Sequence, residues 1–68
     1  MKNMILYNGI RERAKAMRMS LAEVALKSGV SYDSVKRYGK GYMPSAEALV
    51  SIAKVLGTTS EELLKEEL

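Results

Sequence analysis

A chain of 68 residues with no cysteine and no histidine offers no disulfide, no soft metal site and no common general base at neutral pH. That length allows one domain, residues 1–68, with a core near the lower limit for holding itself together. Charge is +3 overall but unevenly spread: residues 1–45 hold nine Lys and Arg against three Asp and Glu, net +6, and residues 46–68 hold two against five, net −3. A basic front and an acidic back would orient the molecule on a polyanion.

The longest apolar run, Met4 to Tyr7, is far too short to cross a bilayer or to form the core of a signal peptide. The expectation is a soluble, cytoplasmic domain with no membrane partner. No pattern calls for a metal, a cofactor or a small-molecule ligand. The serines at 20, 31, 45 and 60 are explained by helix starts rather than by nucleophilic chemistry, and the glutamates by caps and a surface tail, so no catalytic function is expected.

In chain order, Asn3 can cap a first helix over 4–18 whose inward stripe is Leu6, Ile10, Ala14 and Met17. Gly9 weakens it by about 1 kcal/mol relative to alanine. The alternative is a short extended segment followed by a helix capped at Asn8. Met4 and Ile5 exceed what a first helix needs, and either cover the core edge or meet a second subunit.

Ser20 with Glu23 reads as a capping box, in which each side chain satisfies an otherwise orphaned backbone N–H of the other residue. Leu21, Val24, Ala25 and Ser28 then form the buried stripe of a two-turn helix. Gly29 stands where a left-handed terminator is needed, and Val30 fills the angle of the turn. Ser31 caps a third helix whose inward positions are Ser34, Val35 and Tyr38. Tyr32, Asp33, Lys36 and Arg37, at i, i+1, i+4 and i+5, share its outward face. Helix, glycine turn, then a helix with a polar, basic outer face is what reading of the DNA major groove requires.

Pro44-Ser45 opens a fourth helix with the stripe Leu49, Ile52, Ala53 and Leu56, ended by Gly57. Thr59 with Glu62 forms a second capping box, and Leu63 and Leu64 are expected to turn inward on a last helix. Leu68 and the outer side of that helix are candidates for a dimer contact. Nothing reads as a strand, repeat or linker.

Residues Ser20, Glu23, Val24-Ala25, Lys27-Ser-Gly-Val-Ser31, Ser34-Val35, Arg37-Tyr38, Gly41, Pro44-Ser45, Ala48-Leu49, Ile52-Ala53-Lys54, Leu56-Gly57 and Glu62-Leu63-Leu64 form an ordered set. In this set the chain, from Ile10 to Leu64, resembles the helix-turn-helix domain of the Cro and phage-repressor family (XRE type) of bacterial and phage regulators. The resemblance implies an all-α, compact five-helix lambda-repressor-like domain with the helix-turn-helix formed by helices 2 and 3. It implies a small transcriptional regulator, a repressor by type, that binds double-stranded DNA. A single domain makes few phosphate contacts, and the apolar ends at both termini lead to the expectation of a homodimer on an inverted-repeat operator. Tyr32, Asp33, Lys36 and Arg37 then fall at base-reading positions. Ser20, Leu21, Ser31, Lys40 and Tyr42 fall at positions facing the phosphate backbone. For Asp33 two uses stay open, a base edge or a local partnership with Lys36 or Arg37.

Four positions depart from the family pattern. Its members usually carry an ion pair between an arginine in helix 1 and a glutamate just after helix 3; those positions are Ala14 and Gly39. Losing both members can be near neutral, whereas losing one strands a buried charge. With Gly39 and Gly41 flanking Lys40, a looser end to helix 3 is expected. Leu21 replaces a glutamine that bonds a phosphate, leaving backbone N–H groups at that helix start. The Gly41–Pro44 loop is one residue shorter than usual. Domains of this fold also serve as antitoxins and other partner-binding modules, so a protein-interaction role is the alternative, and the basic outer face of helix 3 discriminates between the two.

Overall fold

Hydroxyl caps set the starts of four helices. The computed structural model describes residues 5–64, which form α1 (Ile5–Ala16), α2 (Leu21–Ser28), α3 (Tyr32–Tyr38), α4 (Ala46–Val55) and α5 (Ser60–Leu64), with no strand among the described residues. The Ser20, Ser31, Ser45 and Thr59 hydroxyls accept from the backbone N–H of Glu23, Ser34, Ala48 and Glu62, each at 3.1 Å. Such caps contribute about 1 kcal/mol apiece. At Ser20 the box is complete, because its own N–H donates to Glu23 Oε1 at 3.1 Å. Gly29 ends α2 at φ 77°, and Val30 N–H then reaches back to Ala25 O at 3.1 Å. That left-handed turn fixes the angle between α2 and α3.

The core takes Leu6, Ile10 and Ala14 from α1, Val24 and Ala25 from α2, and Val35 and Tyr38 from α3. Leu49, Ile52, Ala53 and Leu56 come from the fourth-helix region, and Leu63 from α5. Fully burying one branched aliphatic side chain contributes about 1.5–3 kcal/mol, and Ile10, Ile52, Leu63, Val24 and Val35 are the largest side chains completely enclosed. The second helix packs on α4 and α3, while α1 packs on α5. The third helix is therefore held by its inner edge, and its opposite side faces outward. Among the described residues no helix is long and apolar enough to cross a membrane.

Two expected core residues face outward instead. Met17 is 47% exposed because α1 ends at Ala16 and the chain reverses through Arg18 at φ 59°, so the helical spacing no longer applies. Met19 takes its place against the core, its N–H bonded to Ala14 O at 2.8 Å. Leu64 is 46% exposed while Leu63 is buried; neighbouring helical residues lie about 100° apart, and a single short helix buries one of them. Asn8 lies inside α1 rather than capping it. Asn3, Met4, Leu68 and the side chain of Ile5, which carried the remaining expectations for the two ends, lie outside the described residues.

Candidate nucleic-acid interface

Only seven residues long, α3 owes its orientation to Val35, which is completely buried, and Tyr38, which is 6% exposed. Ser34 is half-buried and bonded to the cap, with Ser31 Oγ donating to Ser34 Oγ at 2.9 Å. Everything else on the helix points out. Tyr32, Asp33, Lys36 and Arg37 are all exposed and form one face, as their spacing predicts.

This face has two flanks. On one, Lys36 Nζ lies 5.1 Å from the centre of the Tyr32 ring, a cation–π pair at i, i+4. On the other, Arg37 lines a groove with Tyr42, Met43 and Pro44 of the loop between α3 and α4. Asp33 makes no ion pair among the described residues, so of the two uses open to it, the local partnership with Lys36 or Arg37 is not formed. Lys36 has taken the aromatic ring instead.

Of the residues expected at the phosphate backbone, Ser20 caps α2, Ser31 caps α3, and Lys40 and Tyr42 follow α3 in the chain. Ser20, Ser31 and Lys40 are exposed, and Tyr42 is 62% exposed. Leu21 is half-buried and packs on the core, so its side chain works from within and only its backbone faces the helix start. The end of α3 is closed rather than loose. Lys40 N–H donates to Arg37 O at 2.8 Å, Gly41 N–H to Tyr38 O at 3.2 Å and Tyr42 N–H to Arg37 O at 3.3 Å. Gly41, at φ 101°, permits the last reversal. These short-range bonds tighten the final turn and hold Lys40 and Tyr42 close beneath Arg37.

Burial pushes the Tyr38 hydroxyl above its ordinary pKa of 10.0, as expected of an inward tyrosine. Three features escaped the sequence reading. Tyr7 packs against Gly39, the Arg11 guanidinium lies 5.8 Å from the centre of the same ring, and Leu26 is 81% exposed on α2. The first two could have been sought from a tyrosine beside the α1 stripe and a glycine where a helix has yet to leave the core. Leu26 simply falls off the i, i+3, i+4 stripe of α2.

A helix-turn-helix family model matches residues 10–63. Among solved structures, the DNA-binding domain of the P22 C2 repressor is similar at a TM-score of 0.81 and 26% identity, over 100% of this chain and 91% of that one. HppE is similar in its FeII form (TM-score 0.75, 22% identity) and its apo form (TM-score 0.74, 23% identity). The match covers 100% and 93% of this chain but only 38% and 36% of HppE, so that likeness is one of fold over about a third of a longer protein. No curated protein matches the chain.

Proposed function

This chain belongs to the helix-turn-helix family, and on that premise we propose that it binds double-stranded DNA sequence-specifically, as a small transcriptional regulator of repressor type with α3 in the major groove. The observation that carries this reading is the division of α3: Val35 and Tyr38 are buried, while Tyr32, Asp33, Lys36 and Arg37 form an exposed face of hydrogen-bonding groups and two cations. The 26% identity with the P22 C2 repressor DNA-binding domain over nearly the whole of both chains supports it.

In this reading Arg37 forks onto guanine O6 and N7, and Asp33 accepts from a cytosine N4 beside it. Tyr32, steadied by Lys36, touches a thymine methyl. Lys40, Tyr42, Ser20, Ser31 and the backbone at Leu21 meet phosphates, which position the protein without reading sequence. A helix of seven residues is about 10 Å long, and base pairs stack about 3.4 Å apart, so one copy reads roughly three of them. Specific binding therefore calls for two copies on an inverted repeat, their α3 helices about 34 Å apart. Sedimentation showing only monomers on a specific duplex would remove the dimer from this account.

Nuclear magnetic resonance mapping tests the face directly. Titrating a duplex into labelled protein is expected to shift the amides of residues 20–22, 31–37 and 40–42 most. Shifts centred on α5, or none at all, would overturn the reading.

A further inference from the structure

The exposed positive charge extends beyond α3 onto α1. Tyr7 is half-buried, and its ring lies so close to Gly39 that a β-carbon there would meet Cζ at 3.0 Å. The Arg11 guanidinium lies 5.8 Å from the centre of that ring. Tyr7 therefore joins Gly39, the residue before the exposed Lys40 in the turn after α3, to Arg11, the first cation of α1. One turn further along α1, Lys15 follows Arg11, and Arg18 stands in the reversal towards α2 at φ 59°.

Arg11, Lys15 and Arg18 surround an open cleft of about 430 Å³ between the end of α1 and the start of α2, with Ala14, Met19 and Leu21 behind them. Glu12 is the one carboxylate among its lining residues. All three cations are exposed, and none makes an ion pair among the described residues. Three like charges around one concavity repel each other unless an anion sits among them, and concave basic surfaces concentrate anions. The cleft is open-sided, and its donors are long, exposed side chains without a buried polar group. Such a site suits a strand of evenly spaced phosphates better than one compact anion.

We propose that this cleft holds the phosphodiester backbone of the bound duplex through Arg11, Lys15 and Arg18, so that the DNA contact runs from α3 across α1. The proposal rests on the DNA-binding reading above. These cations carry no base recognition; they add affinity on any sequence.

The test uses the full chain with Arg11→Gln, Lys15→Gln and Arg18→Asn combined, asparagine being a residue that tolerates the left-handed region. Binding is measured by fluorescence anisotropy on a selected duplex and on its shuffled counterpart, across a salt series. The slope of log affinity against log salt is expected to become shallower by about two to three. At the lowest salt, affinity should fall roughly tenfold or more on both duplexes, with their ratio unchanged. Arg11→Lys with Arg18→Lys should keep the wild-type slope. An unchanged slope in the triple variant, with wild-type thermal stability, would overturn the proposal and leave α3 recognition standing. A changed ratio between the duplexes would overturn it as well, by making these side chains readers of sequence. A wild-type protein that binds neither duplex would overturn both readings together.

Discussion

The phenol end of Tyr7 stands on Gly39: a β-carbon at position 39 would lie 3.0 Å from Cζ and 3.1 and 3.2 Å from the two Cε atoms. Gly39 itself is in ordinary helical conformation, φ −69° and ψ −12°, so its lack of a side chain serves packing and not backbone strain. Ala14 and Gly39 occupy the two positions at which the family resemblance implies an ion pair. Here the contact between α1 and the end of α3 is aromatic, made about two helical turns before Ala14 by Tyr7.

This contact is expected to show as coupling. Gly39→Ala should destabilise the protein by about 1–3 kcal/mol, the usual cost of forcing extra volume into a packed site. In a Tyr7→Ala background the same substitution should be near neutral. Urea denaturation of the four proteins gives a coupling energy, expected to exceed about 0.5 kcal/mol. A Gly39→Ala cost that persists without the ring would assign it to the backbone.

Two other glycines should respond in opposite directions. A β-carbon on Gly9, within α1, would meet Leu63 O at 3.5 Å, an ordinary contact. Gly9→Ala should therefore stabilise by about 0.5–1 kcal/mol through helix propensity alone. That corresponds to a Tm gain of roughly 4–8 °C per kcal/mol for a domain of this size. Gly29 has nothing within 4 Å but sits at φ 77°. Gly29→Ala should cost about 1–2 kcal/mol of left-handed strain. Thermal melts of the two variants, moving apart from the wild type, check both statements.

Tyr38 makes stability fall in alkali. Its pKa is raised above 10.0 by burial, so above that pH the unfolded chain sheds a proton that the folded chain retains. The contribution is fully present below about pH 10 and is lost as pH rises through the folded value. Urea midpoints from about pH 8 to about pH 11 should decline less steeply at the alkaline end in Tyr38→Phe than in the wild type. Equal declines would remove Tyr38 from the alkaline transition.

Arg37 and Lys40 should separate reading from holding. Arg37→Ala is expected to cost about 1–3 kcal/mol on the preferred site and to relax specificity at one base pair. Lys40→Ala should weaken all sequences alike and lower the salt slope by about one. Competition titrations against single-base variants of the site distinguish the two. Equal loss on every sequence from Arg37→Ala would make it a phosphate clamp, and an unchanged slope from Lys40→Ala would place it outside the interface.

Much of the fold was legible because local signals agreed with one another. The serine and threonine caps, the αL glycine at 29 and the stripe of α4 each depend on near neighbours in sequence, and the structure repeats them; of the α2 stripe, Val24 and Ala25 are buried while Leu21 and Ser28 are half-buried. The outward set on α3 follows from Val35 and Tyr38 being inward. What the sequence did not disclose depends on the chain leaving a helix or on helices meeting. Met17 is exposed because α1 stops one residue earlier, and Leu64 because α5 has one inward line. Tyr7 on Gly39 joins residues from separate helices, which periodicity along one helix does not relate, and the cleft beside Arg11 and Lys15 of α1 is completed by Arg18 in the reversal and Leu21 of α2. The glycines imply a loose end to α3, but the turn bonds that follow Arg37 are a property of backbone path rather than of composition.

The measurement that bears most directly on the central claim is selection of binding sites from a random duplex pool, repeated at low and at raised salt. An enriched inverted repeat, with half-sites about one helical turn apart and persisting at raised salt, is the predicted result. Binding that enriches no sequence and vanishes with salt would contradict it, leaving phosphate attraction alone where sequence recognition by α3 is claimed.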